Sequence, residues 1–182
     1  SSMVCGVFAA EGDETAAAET ETTAESLTEE NVTASEGYGE HEEAIKALFR
    51  FGILDENNFD ASAKVTRGDF VAKAMMLKGA DLSKASDTIF SDVPKTNKNS
   101  GAIAAAYNMG IVKGMTDGTF RPDDVLTKEQ SAKILMSILG YDVYAESYGG
   151  YPGGYLSIAA FCGVLKKVTI GDYAECTWDN AA

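Results

Sequence analysis

GIVKGMTDGTFRPDDVLTKEQSAKILMSIL, residues 110–139, decides how the rest of this chain is read. Gly110 ends a helix, and Asp117-Gly118 turns a tight loop. Phe120-Arg121-Pro122 follows, and Thr127 caps a new amphipathic helix. The same order recurs on either side. Helix-ending glycines followed by two apolar residues stand at Gly52-Ile53-Leu54, Gly110-Ile111-Val112 and Gly163-Val164-Leu165. Each is followed, 14, 17 and 14 residues on, by a threonine with an apolar residue before it: Val65-Thr66, Leu126-Thr127 and Cys176-Thr177. Phe59, Phe120 or Ile170 lies seven residues before that threonine. This ordered set predicts one helix–loop–helix unit used three times and an all-α fold. Helix pairs of this length are marginal alone, so the three units are expected to share one core.

The middle copy, with FSDVP at 90–94 before the quoted stretch, closely resembles an S-layer homology domain. In the first copy the resemblance is carried by VTRGDF at 65–70; the third copy is degenerate and incomplete. The resemblance implies a secreted or surface protein. It further implies a pseudo-threefold helical bundle that holds secondary cell-wall polysaccharide without a covalent link. The expected repeats are 40–88, 89–142 and 143–182.

Composition sets the remaining bounds. Residues 11–43 hold 12 of the 28 acidic residues and no Lys or Arg, so this segment stands at −12 and the remainder near −1. No basic surplus points to nucleic acid, and no apolar run is long enough to cross a membrane. Residues 1–10, SSMVCGVFAA, read as a signal-peptide remnant. Residues 11–39, rich in Thr, Glu and Ala, read as a disordered acidic spacer. Cys162 and Cys176 align with apolar positions of the other copies and are read as small buried residues, a Cys162–Cys176 disulfide being the alternative.

Expected helices cover 42–51, 66–77, 101–109, 127–139 and 156–162, with a sixth starting after Thr177. The first buries Ala44, Ile45, Ala47, Leu48 and Phe51; the second buries Phe70, Val71, Ala74, Met75 and Leu77. Tyr141, Tyr144, Tyr148, Tyr151 and Tyr155 of the Tyr- and Gly-rich stretch 141–155 are read as padding a loop between repeats, the lining of a carbohydrate groove being the alternative.

The family signature is Thr-Arg-Ala-Glu at the start of each second helix. Here it reads Thr66-Arg67-Gly68-Asp69, Thr127-Lys128-Glu129-Gln130 and Thr177-Trp178-Asp179-Asn180. Capping accounts for Thr66, Asp69, Thr127, Gln130 and Thr177. It does not account for Arg67 and Lys128, which sit where the helix dipole disfavours a cation by roughly 0.3–1 kcal/mol. A cation beside free helix N–H groups makes an anion site, and the resemblance supplies the anion: the acidic, often pyruvylated, sugar of the wall polymer. The alternative is a solvated surface cation. Trp178 either stacks on a sugar or fills the core. The family's aromatic at the start of each first helix falls at Glu40, Lys98 and Tyr151, so only Tyr151 retains it. Asp92 and Gly114 match family positions near the groove, although both also read as turn residues. The expected glycan-binding set is thus Arg67, Lys128, Asp92, Gly114, Tyr151 and Trp178.

Asp117, Asp123 and Asp124 lack the alternation and closing Glu of a calcium loop, and no zinc spacing occurs, so no metal or cofactor is expected. No nucleophile elbow or phosphate loop appears, and no enzyme is expected. The function expected is a non-catalytic anchor on secondary wall polysaccharide. The alternative is a degenerate repeat array that contacts other surface proteins or copies of itself.

Overall fold

Three of the helices begin one residue after a threonine, and that arrangement determines where the chain crosses itself. The computed structural model describes residues 41–82 and 87–182. Among these it forms α1 (Glu42–Arg50), α2 (Arg67–Leu77), α3 (Ser100–Asn108), α4 (Lys128–Ile138), α5 (Asp142–Ser147), α6 (Gly153–Phe161) and α7 (Trp178–Ala181). The fold is all-α: the described residues contain isolated bridges but no strand. The expected leader and spacer, 1–39, lie outside the described residues; the described ones fall in one compact unit, 35–182.

Thr66, Thr127 and Thr177 are extended, as helix caps require. The Thr66 side chain accepts from the Asp69 N–H at 3.2 Å. Thr127 with Gln130, and Thr177 with Asn180, form capping boxes. Asp69 sends its carboxylate elsewhere, to the Asn99 amide at 2.8 Å and the Lys98 ammonium at 2.7 Å. Glycines with positive φ, Gly52, Gly110 and Gly163, follow α1, α3 and α6 as left-handed stops.

The three segments leading into α2, α4 and α7 meet in a closed ring. Val65 N–H donates to Cys176 C=O (3.0 Å), Cys176 N–H to Leu126 C=O (2.8 Å), and Leu126 N–H to Val65 C=O (2.8 Å). Their side chains are fully buried at the centre, with Phe70, Val71, Ile103, Phe120 and Ile134 around them. The next N–H groups run round the three segments in the opposite sense. Arg67 and Gly68 donate to Asp124 and Pro122, Lys128 and Glu129 to Ala174 and Asp172, and Trp178 and Asp179 to Ala63 and Ala61. Outward from the ring, α2 packs on α3 and α4, and α4 on α6.

Four expectations need correction. Phe51 is 75 % exposed, and Ala44 is exposed too, because α1 lies outside the main helix pairings; only Ile45 of α1 is buried. Leu77, in the last turn of α2, is exposed. Cys162 is an exposed free thiol. Its alignment with Phe51 and Met109 holds, but all three stand at the end of a helix just before the glycine, where the chain turns through solvent. Cys176 is also free and lies buried at the ring. Finally, 141–155 is not a plain loop. It contains α5 and the start of α6, packed together through Ala145, Tyr155 and Ala159.

Candidate functional site

Each residue that follows a capping threonine lines a different cleft. The Arg67 cleft, about 310 Å³, is walled by Gly114 and Met115 after α3, by Gln130 and Lys133 of α4, and by Glu146, Tyr151 and Tyr155. The Lys128 cleft, about 330 Å³, is bounded by His41, by the segment after α6 and by α7. The Trp178 cleft, about 560 Å³, is bounded by the segment after α1, by α2, and by Lys98 and Asn99. Three of the six expected glycan residues, Arg67, Gly114 and Tyr151, therefore share one cleft, while Lys128 and Trp178 lie in the other two.

The backbone part of the expected anion site is absent. The first two N–H groups of α2, α4 and α7 are taken by neighbouring carbonyls in the cyclic order above. The third N–H of α2 goes to the Thr66 side chain. Any anion held at Arg67 must therefore be held by side chains.

Arg67 is suited to that role. The residue is 9 % exposed and forms no ion pair among the described residues. Nε donates to the Phe120 carbonyl at 3.1 Å, and the guanidinium lies 4.6 Å over the Phe120 ring. These contacts fix the plane of the group, while its terminal N–H groups take no acceptor among the described residues. Burial pushes its pKa down, partly offset by Tyr151 and Asp124, and an arginine remains cationic regardless. A largely buried guanidinium whose terminal donors take no protein acceptor is poised for a carboxylate or phosphate.

The other walls are equally constrained. Gly114 has φ +74°, and a Cβ there would stand 2.9 Å from the Thr119 carbonyl and collide with the Phe90 ring. Only glycine lets the loop lie that close. Tyr151 is 53 % exposed, and its hydroxyl lies 3.5 Å from Glu129 Oε1. Burial and Glu129 raise its pKa, against the pull of Arg67. Tyr155 donates toward Asp142 (2.9 Å) and Glu146 (3.1 Å). Burial and these carboxylates push its pKa up, so it remains a neutral phenol.

Lys128 and Trp178 differ from Arg67. The Lys128 side chain is 12 % exposed, and Nζ is held by the Ile170 carbonyl (3.0 Å) and Asp172 (3.1 Å). Trp178 packs against the central core. Asp92 uses both oxygens on backbone, accepting from Phe120 N–H (2.8 Å) and Arg121 N–H (2.7 Å), and so fixes the loop beneath Arg67.

Sequence reasoning missed Lys113, Lys133 and Glu146 as cleft residues. Tyr155, read from the sequence as padding the loop at 141–155 with the lining of a groove as the alternative, stands in the cleft wall. Lys133 carried no signal, because what brings it to the cleft is the Ile111 carbonyl of another segment. Among the described residues no group of His, Cys, Asp and Glu is placed to hold a metal ion, and no helix is long and apolar enough to cross a membrane.

Residues 89–132 match the family model of the S-layer homology domain. The chain is 26 % identical over 154 residues to the middle cell wall protein of Brevibacillus brevis, covering 81 % of this chain and 14 % of that protein. It is 25 % identical over 134 residues to a cell surface protein of Thermoanaerobacter kivui, covering 70 % and 17 % respectively. It is also 36 % identical over 85 residues to the exoglucanase XynX of Acetivibrio thermocellus, covering 46 % and 8 %. The chain thus spans less than a fifth of the length of these curated relatives. With α3, the capped start of α4 and the loop that carries Gly114 all inside the matched segment, the chain carries an S-layer homology domain.

Proposed function

We propose that this chain is a non-catalytic module that anchors a protein to a Gram-positive-type cell wall by binding an acidic secondary wall polysaccharide. The chain is a cell-surface segment, as its family and its relatives are. On this reading, 40–88, 89–142 and 143–182 are three S-layer homology repeats in a pseudo-threefold bundle. The cyclic hydrogen bonds of Val65, Leu126 and Cys176 support that arrangement, as does the sharing of the clefts among Arg67, Lys128 and Trp178.

The observation that carries the reading is the Arg67 guanidinium, buried, aligned on Phe120 and with terminal donors unspent, in a cleft shared with Gly114 and Tyr151. It is complementary to an acidic sugar substituent such as a pyruvate ketal, with Tyr151 offering a face for the ring. In the Lys128 cleft the ammonium is already ion-paired with Asp172, so an incoming acid meets a charge largely compensated and weaker binding is expected there. Trp178 offers a third cleft without an anion receptor at that position.

The test is sedimentation of the chain with purified cell walls. The wild type should pellet, Arg67→Ala should remain in the supernatant, and Lys128→Ala should lose much less. Walls stripped of secondary polymer should carry down none of the three. Pelleting of Arg67→Ala at the wild-type level overturns the assignment of the site. A second reading, an assembly module, is favoured by the exposed Phe51, Met109 and Phe161. It requires wall-free self-association, so a monomer in sedimentation velocity argues against it.

A further inference from the structure

We infer that Lys133 is a second cation of the Arg67 cleft that contacts the acidic group of the ligand, so that this cleft grips the acid from two walls. The inference rests on the binding function proposed above and adds to it a residue outside the capping motif.

Four observations converge on Lys133. It comes from α4, whereas Arg67 comes from α2, and both line the same cleft of about 310 Å³. Its stem is half-buried, so the ammonium is held in place rather than trailing in solvent. Nζ donates to the Ile111 carbonyl (2.7 Å) and to Ser137 Oγ (3.1 Å), and it lies 5.7 Å from the centre of the Tyr155 ring. An ammonium has three donors, so one remains for a ligand. No carboxylate forms an ion pair with it among the described residues. Asp142, whose charge favours the ammonium, is engaged instead by Ser137 (2.7 Å) and Tyr155 (2.9 Å).

The charges of the cleft make sense on this assignment. Arg67, Lys113 and Lys133 line it, against Glu146 alone, which also accepts from Tyr155 at 3.1 Å. Burial and the neighbouring Lys113 and Arg67 both act against the charged form of Lys133, while Asp142 and Glu146 favour it. Clustered cations in a half-buried cleft repel one another until an anion arrives, and that is the electrostatic condition for selecting an acidic ligand over its neutral form. The two cations also divide the work. The planar guanidinium supplies directional hydrogen bonds, and the ammonium supplies a compact charge.

The test uses the full chain and two probes: purified secondary wall polysaccharide, and the same polysaccharide with its carboxylates amidated. Lys133→Met retains the aliphatic stem, and Lys133→Gln retains a donor for the Ile111 carbonyl without the charge. Both should bind the native polymer roughly tenfold more weakly than the wild type. Wild type and variants should bind the amidated polymer equally poorly. A Lys133→Gln protein that binds native polymer as tightly as the wild type overturns the inference while leaving the Arg67 site intact. An Arg67→Ala protein that binds normally removes the site itself. Acetylation of Lys133 in the wild type, followed by mass spectrometry, gives a readout independent of folding in the variants. Native polymer should slow it and amidated polymer should not; equal rates with both overturn the assignment.

Discussion

At the scale of single residues, carboxylates hold the loop at 115–124 and an arginine uses it. Asp92 binds the backbone of Phe120 and Arg121, and Phe120 in turn offers its carbonyl and ring face to Arg67. Asp117 closes the outer end of the loop. It accepts from the Thr119 hydroxyl (2.5 Å), the Arg121 guanidinium (2.9 Å) and the Thr119 N–H (3.0 Å), which together hold its pKa down at about 2 against an ordinary 3.8. The sign follows from proton linkage. Between 3.8 and about 2 the unfolded chain carries more of this proton than the folded one, so stability rises with pH there. The contribution is complete above that window and is lost as pH falls through it. Asp117→Asn should therefore melt below the wild type at pH 7, and the two melting temperatures should converge near pH 2; a constant offset across a pH 2–7 series would rule this out. Legibility at this scale was uneven. Arg67 stood out because a cation at a helix start is otherwise unfavourable. Its burial did not, because that depends on Phe120 being folded over it by an aspartate 28 residues earlier in the chain.

At the scale of elements, the thresholds into α2, α4 and α7 do more than cap. A helix start exposes orphan N–H groups that must find acceptors. Here the first two are met by another segment's carbonyls and, in α2, the third by the threonine side chain, so the cap also serves as a joint between segments. The threonines and their place at the helix starts were readable from the sequence, since capping is local chemistry. The pairing of N–H groups with distant carbonyls was not, since it is set by how segments from about fifty to more than a hundred residues apart come together. The same distinction explains α1 and α5. Apolar spacing in α1 marks a helix but does not reveal that few neighbours cover it, and Phe51 ends up exposed. Tyr and Gly between 141 and 155 suggested a loop, yet Ala145 and Tyr155 find each other and fold α5 against α6. Thr66→Ala removes the acceptor for the Asp69 N–H and should cost about 1 kcal/mol in urea denaturation. The loss should be in stability, with wall binding unchanged under conditions where the variant is folded, because the Arg67 contacts to Phe120 do not pass through Thr66.

At the scale of the whole described unit, the central ring decides how the protein comes apart. Val65, Leu126 and Cys176 are fully buried, each donates to one of the others and accepts from the third, and the core cluster around them draws on α2, α3, α4 and the approach to α7. Removing any one of the three segments leaves backbone groups of the other two buried without partners, at a cost of about 1–3 kcal/mol for each such group. Separate unfolding of the last segment is therefore disfavoured even though α7 is only a four-residue helix. The chain provides its own reporter, since Trp178 is its single tryptophan and sits at the first position of α7. Its fluorescence follows the last segment, whereas helical circular dichroism is dominated by α1 to α6. In a urea titration the two signals should trace one transition with the same midpoint and slope. A tryptophan transition at clearly lower urea than the helical one would mean that the ring opens at its third corner first. The cyclic hydrogen bonds would then be an addition to a stable core and not the joint that makes the segments fold as one.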